Sequence, residues 1–136
     1  MKIALVVSDY NFDITAAMQE RARRHAEALA VEISHVAHVP GVYDMPLMIR
    51  HLLKRDDVDG VAIIGAVIKG ETLHDELICQ VTARVAAELS LQFDKPVGLG
   101  VIGPGMTLAQ AKARIDNAKN AVDSVVRMIK ALKQES

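Results

Sequence analysis

Three apolar runs, none broken by a charge, constrain this chain most: Ile3 to Val7, Val61 to Ile68 and Val97 to Ile102. A strand with one wet face alternates apolar and polar side chains. These runs do not alternate, so the strands within them read as buried on both faces, the mark of a parallel sheet covered by helices. Each is also far shorter than the ~20 residues that cross a bilayer.

The intervening segments supply the helices. Ile14, Ala17, Met18, Ala22, Ala26 and Leu29 fall at helical spacing, with Asn11 or Asp13 placed to cap. Val31 to Val39 is a further, β-branched strand candidate that ends at Pro40-Gly41. Pro46 fits a first helical turn, and Leu47, Ile49, Leu52 and Leu53 continue that helix. Gly60 to Gly65 is the third buried strand, a loop follows, and His74 to about Phe93 reads as the third helix. Pro96 precedes the fourth strand, and Gly103-Pro104-Gly105 is expected to break the chain after it. Thr107 can cap one last helix to about Lys133, with Ala111, Ile115, Ala118, Val122, Val125, Ile129 and Leu132 on one side.

The order βαβαβαβα with right-handed crossovers predicts a flavodoxin-like three-layer α/β/α sandwich, a four-stranded parallel sheet flanked by helices. With 136 residues, 1–136 read as a single domain. The 51% hydrophobic and 24% charged content rules out a disordered chain. Sixteen basic residues against 17 acidic ones argue against a nucleic-acid binder, yet leave room for a local site that takes one phosphate. The opening apolar stretch is too short for a signal peptide, and a lone Cys79 cannot make an internal disulfide or a cysteine metal cluster. The expectation is a cytoplasmic protein with no membrane segment.

In open parallel sheets, ligands bind at the carboxyl ends of the strands. Four loops occupy that edge: Ser8 to Asp13, Pro40 to Pro46, Ala66 to His74 and Gly103 to Thr107. The chain has four aromatic residues, Tyr10, Phe12, Tyr43 and Phe93, and three lie in those loops. Tyr10 and Tyr43 either pack the strand rims or offer a stacking face to a flat heterocycle. In Lys69-Gly70-Glu71-Thr72-Leu73-His74, a glycine and a threonine before a helix form a candidate anion cradle, although the glycine could serve only the turn. Of the five histidines, His25 and His51 fall inside helices. His35 and His38, three apart on a strand, point to opposite faces and do not suggest a metal site. His74 stands apart because it begins a helix at the ligand edge, where an imidazole can move protons near neutral pH.

Four segments taken together carry a resemblance. They are Tyr10-Asn11-Phe12-Asp13-Ile14-Thr15, Val39-Pro40-Gly41-Val42-Tyr43-Asp44-Met45-Pro46, Gly65-Ala66-Val67-Ile68-Lys69-Gly70-Glu71-Thr72-Leu73-His74 and Gly103-Pro104-Gly105-Met106-Thr107. In this order, each at the ligand edge, they resemble the 6,7-dimethyl-8-ribityllumazine synthase family in its short archaeal-like form. The resemblance implies a transferase of riboflavin biosynthesis. That family joins 5-amino-6-(D-ribitylamino)uracil to 3,4-dihydroxy-2-butanone 4-phosphate, releases phosphate and water, and uses neither metal nor organic cofactor.

It also implies residue roles. Tyr10 matches the aromatic that stacks on the pyrimidine. Val42, Tyr43 and Asp44 match the segment holding the ribityl chain, with Asp44 in place of the commoner glutamate. Ala66, Val67 and Ile68 match the strand end that reads the pyrimidine edge. Glu71 and Thr72 match the phosphate cradle, and His74 the catalytic histidine. Arg114 matches the arginine on the substrate phosphate, and Leu99 a site residue that is often phenylalanine; both are expected from a neighbouring subunit. Asp123 matches an acidic residue that orients the histidine, and Lys119 lies one position from a family lysine. The resemblance implies a homo-oligomer, a pentamer or a 60-subunit shell, with riboflavin synthase as a partner. Other readings are an archaeal-type riboflavin synthase, and a non-catalytic shell-forming or flavin-storing homologue. A receiver domain fails, because Ala66-Val67-Ile68 stand where it needs a phosphate-accepting aspartate.

Overall fold

A computed structural model describes residues 1–70 and 74–136. The strands are β1 (Lys2–Ser8), β2 (Glu32–Val39), β3 (Gly60–Ile68) and β4 (Val97–Met106). The helices are α1 (Phe12–Ala28), α2 (Met45–Leu53), α3 (Asp75–Phe93), α4 (Leu108–Lys112) and α5 (Asn117–Glu135), and a 3-10 turn at Val42–Asp44 leads into α2. All strand pairs are parallel and the order is β2-β1-β3-β4. This is the expected flavodoxin-like three-layer sandwich.

The apolar runs fill two cores, one on each face of the sheet. Ile3, Leu5 and Val7 of β1 join Ala62, Ile64 and Ala66 of β3 beneath Ile14, Met18 and Ala22 of α1 and Ala118, Val122 and Val125 of α5. Ala4 and Val6 with Val61, Ile63 and Val67 face the other way, beneath Met45, Ile49 and Leu53 of α2 and Cys79, Ala86 and Leu89 of α3. Alternate residues of one strand therefore serve opposite layers. Chain progression reverses about β1: α1 carries the chain out to β2, and α2 carries it back past β1 to β3. The gap between the carboxyl ends of β1 and β3 is thus the topological switch point.

Three boundaries differ from the sequence reading. β3 continues past the expected end at Gly65 to Ile68, because Ala66 and Ile68 still pair with β4. β4 runs on through Gly103-Pro104-Gly105 to Met106, beyond the expected stop at Ile102. It is an edge strand, where proline's missing N–H leaves no ladder bond unmade. The register against β3 shifts between Ala66 and Ile68, and Lys69 N–H then reaches Met106 O at 2.7 Å. Gly103 and Gly105 take φ of 131° and 75°, which the bulge needs and which favour glycine. The last helix is split. Thr107 does cap α4, its Oγ1 accepting from Gln110 N–H at 3.2 Å while Gln110 Oε1 accepts from Thr107 N–H at 3.0 Å. Residues 113–116 then tighten, with Arg114, Asn117 and Ala118 donating three residues back. Asp116 and Asn117 favour helix starts over helix interiors, and the apolar spacing, unbroken across the turn, cannot reveal the change of axis.

The α1 terminus carries a local strain. Ala30, exposed, sits at φ 56° so that Val31 N–H can reach Ala26 O at 2.9 Å. A side chain there costs about 1–2 kcal/mol. Ala30→Gly is therefore expected to raise the stability by about 0.5–1 kcal/mol, after allowance for the freer unfolded chain. A higher urea midpoint at unchanged slope would register it. Among the described residues, no helix is long and apolar enough to cross a membrane.

Candidate active site

The switch point opens into a cleft of about 340 Å³. Tyr10 and Asn11 reach it from the loop after β1, and Gly41, Val42, Tyr43 and Asp44 from the loop after β2. Ala66, Val67 and Ile68 line it from the end of β3, and Ile78 from the first turns of α3. Every residue that the resemblance places on the pyrimidine or ribityl chain, apart from Leu99, therefore meets here.

Local contacts explain the shape. Asp9 N–H donates to Val39 O at 2.8 Å and Tyr10 N–H to Pro40 O at 3.1 Å, which ties the β1 loop to β2. Tyr10 lies against Gly41, where an added Cβ would stand 3.0 Å from the ring and push it slightly outward. Asp44 Oδ2 accepts from Gly41 N–H at 3.0 Å, which fixes the carboxylate at the rim. Thr82 Oγ1 donates to Val42 O at 3.3 Å and joins α3 to the 3-10 turn. Tyr10 and Tyr43 are 70% and 65% exposed, so neither is a core residue packing a rim. Two exposed rings, aliphatic walls and one carboxylate suit a flat polar heterocycle with a hydroxylated tail.

His74 stands at the cap position of α3, one turn before Ile78, whose N–H donates to His74 O at 2.9 Å. The start of α3 is moored to β4, since Asp75 Oδ2 accepts from Gly105 N–H at 3.0 Å. Glu71 and Thr72 lie outside the described residues. Leu99 is on β4, opposite Ile63, and is 55% exposed, away from its own chain's cleft. Arg114 lies in the turn between α4 and α5, also exposed and outside that cleft, with Nη1 donating to Gln110 O at 3.1 Å. Lys119 is exposed on α5. Cys79 is buried beneath the cleft wall, and burial, with the Asp75 charge adding to it, pushes its thiol up to about 11, which keeps it inert.

Asp123 has partners of its own. His25 Nε2 lies 3.2 Å from its Oδ1, and Arg127 Nε lies 2.9 Å from its Oδ2. The His25 hydrogen bond, helped by the Arg127, His25 and Lys119 charges and opposed by desolvation, holds the carboxyl below the usual 3.8. The stability gained is fully present above that ordinary value and is lost as pH falls through the lowered one. Asp123→Asn should therefore destabilise the protein near pH 6, with the gap to wild type closing below about pH 4. Urea titrations across that range would test it; a pH-independent gap would refute it.

Three lining residues escaped the sequence reading: Asn11, Gly41 and Ile78. Asn11 looked like a helix cap and Gly41 like a strand terminator, while Ile78 falls within the expected third helix and was given no role.

Fold and site together define a class: an α/β sandwich that binds a flat small molecule at its switch point. The comparisons narrow this. Residues 1–133 match the family model described as 6,7-dimethyl-8-ribityllumazine synthase. The chain is 53% identical over 133 residues to the 6,7-dimethyl-8-ribityllumazine synthase of Picrophilus torridus, covering 98% of each chain. It is 49% identical over 133 residues to that of Methanocaldococcus jannaschii (98% of this chain, 94% of the relative). Over 129 residues it is 52% identical to that of Staphylothermus marinus (94% and 86%). The chain belongs to the 6,7-dimethyl-8-ribityllumazine synthase family.

Proposed function

We propose that this protein is a lumazine synthase of riboflavin biosynthesis. It condenses 5-amino-6-(D-ribitylamino)uracil with 3,4-dihydroxy-2-butanone 4-phosphate to 6,7-dimethyl-8-ribityllumazine. The observation that carries this reading is that a family match over residues 1–133 coincides with a cleft floored by Tyr10 and walled by Ala66, Val67 and Ile68.

The pyrimidine stacks on Tyr10, and its ribityl hydroxyls meet Asp44 and the Val42–Tyr43 backbone. Its 5-amino group attacks the ketone and water leaves, giving an imine. Loss of a carbon-bound proton then expels phosphate, and the ribitylamino nitrogen closes the second ring with loss of a further water. The largest contribution of the protein is to hold two substrates in reacting geometry. His74 shuttles protons at the reacting end, and Glu71 and Thr72 receive the phosphate. Arg114 clamps that dianion through a fork of donors, and Leu99 closes the apolar wall. Asp123 and Lys119 play supporting parts.

Leu99 and Arg114 come from a neighbouring subunit. Both are exposed and neither lines its own chain's cleft, which supports this. The assembly is a homo-oligomer, a pentamer or a 60-subunit shell, because head-to-tail contacts that share a site close into a ring. It works in the cytoplasm beside a riboflavin synthase, which consumes the product. A solution mass of one chain would refute the shared site.

Mixing the purified protein with both substrates and following the fluorescence of the lumazine tests the activity; no product would refute it. His74→Ala is expected to lower kcat by about 10²-fold, with KM for either substrate nearly unchanged, as for loss of a proton shuttle. A kcat equal to wild type would remove His74 from the chemistry.

A further inference from the structure

We propose that Asn11 is a positioning residue that sets the slot between the Tyr10 ring and the Ala66–Ile68 edge, and so governs capture of the pyrimidine. This rests on the function proposed above. β1 is an inner strand, with β2 on one side and β3 on the other. The loop that leaves it is fastened to both neighbours. Toward β2 the bonds are backbone ones, from Asp9 N–H to Val39 O and from Tyr10 N–H to Pro40 O. Toward β3 the fastening is a side chain: Asn11 Nδ2 donates to Ala66 O at 2.9 Å across 55 residues of sequence. Tyr10 is thus held between two clasps, one on each side of its strand.

The local cost of this arrangement argues that the bond has a purpose beyond the helix. Asn11 occupies the cap position of α1 with φ 60° and ψ 47°, a left-handed conformation that asparagine tolerates better than most residues. A capping asparagine normally spends its side chain on the helix's own N–H groups, for about 1 kcal/mol. Here it makes no such bond. The backbone oxygen of Asn11 takes Ile14 and Thr15 N–H at 2.9 and 3.0 Å, and the amide is spent across the sheet. Both ends of that bond line the cleft, and Ala66 is buried. Stacking and edge contacts demand a fixed gap, and the Asn11–Ala66 bond spans that gap. The phosphate-bearing substrate binds elsewhere, toward His74, and does not feel it.

Two variants separate the amide from the backbone. Asn11→Gly keeps the left-handed turn at no steric cost and removes the amide. Asn11→Asp keeps shape and turn but presents a carboxylate, which cannot donate, to the Ala66 carbonyl. The pyrimidine KM is expected to rise about tenfold in Asn11→Gly and further in Asn11→Asp. The butanone-phosphate KM should stay within about twofold in both. Titrating the pyrimidine alone into the same proteins should show the same loss without turnover. An unchanged pyrimidine KM and affinity in Asn11→Gly would overturn the proposal. So would an equal rise in both KM values together with a lowered urea midpoint, since that marks a merely structural role. A wild type that binds the pyrimidine yet makes no product would refute the proposed reaction, and the titration would still decide the clasp; one that neither binds nor reacts would overturn both.

Discussion

Gly98→Ala is expected to cost the fold about 3 kcal/mol or more, a large share of the ~5–15 kcal/mol that holds such a domain together. The reason is a direct approach of helix backbone to strand. An added Cβ at Gly98 would collide with the carbonyl oxygen of Ala121 and stand 2.8 Å from Val125 Cγ2. Next along the same face of β4, a Cβ at Gly100 would meet Ile63 O at 2.7 Å and Ala121 Cβ at 3.1 Å. Glycine on the strand and alanine on the helix let α5 lie on the sheet at unusually short range, burying Val122 and Val125 completely. A side chain can rotate aside, but a helix carbonyl can move only with its helix. Val125→Ala added to Gly98→Ala should therefore recover little, because the carbonyl remains. Urea denaturation would decide: a midpoint within about 0.3 M of wild type would mean that α5 slides outward at little cost.

That contact also marks what the sequence made legible and what it did not. Charge-free runs exposed β1, β3 and β4, because burial on both faces leaves a one-dimensional trace. Helical spacing exposed α1 for the same reason. The course of β4 past Ile102 was hidden, since Gly103-Pro104-Gly105 is a breaker by local rules and stays within the strand only because Ile102 and Met106 on either side pair with β3. The split of the last helix was hidden because Ala111, Ile115 and Ala118 keep one spacing across a change of axis. At the site, position in the topology was enough to bring Tyr10, Tyr43 and Asp44 to one cleft. Asn11 was missed because its bond to Ala66 joins residues far apart in sequence, and no local pattern encodes such a pair. Glu71 and Thr72 rest on resemblance.

Two variants that are nearly inactive alone are expected to restore one another when they assemble together: Tyr10→Ala and Arg114→Ala. Loss of the Tyr10 ring removes stacking worth about 1–3 kcal/mol, hence ~10- to 100-fold in pyrimidine affinity. Loss of Arg114 leaves a desolvated phosphate dianion without its fork of donors, a cost of about 2–5 kcal/mol that appears as a rise of ~10²-fold or more in the butanone-phosphate KM. In the folded chain Tyr10 lines the cleft, while Arg114 sits exposed in the turn after α4, outside it. If each site draws its floor from one subunit and its guanidinium from the next, co-expressing the variants in equal amounts rebuilds intact sites. Random head-to-tail assembly gives a Tyr10-bearing cleft facing an Arg114-bearing neighbour at about one quarter of interfaces. At limiting substrate the mixture should then run at roughly a quarter of the wild-type rate, well above the average of the two variants measured separately. No gain on mixing, with both variants impaired alone, would place Tyr10 and Arg114 of the same chain at one site. A normal butanone-phosphate KM in Arg114→Ala would remove the arginine from the phosphate altogether.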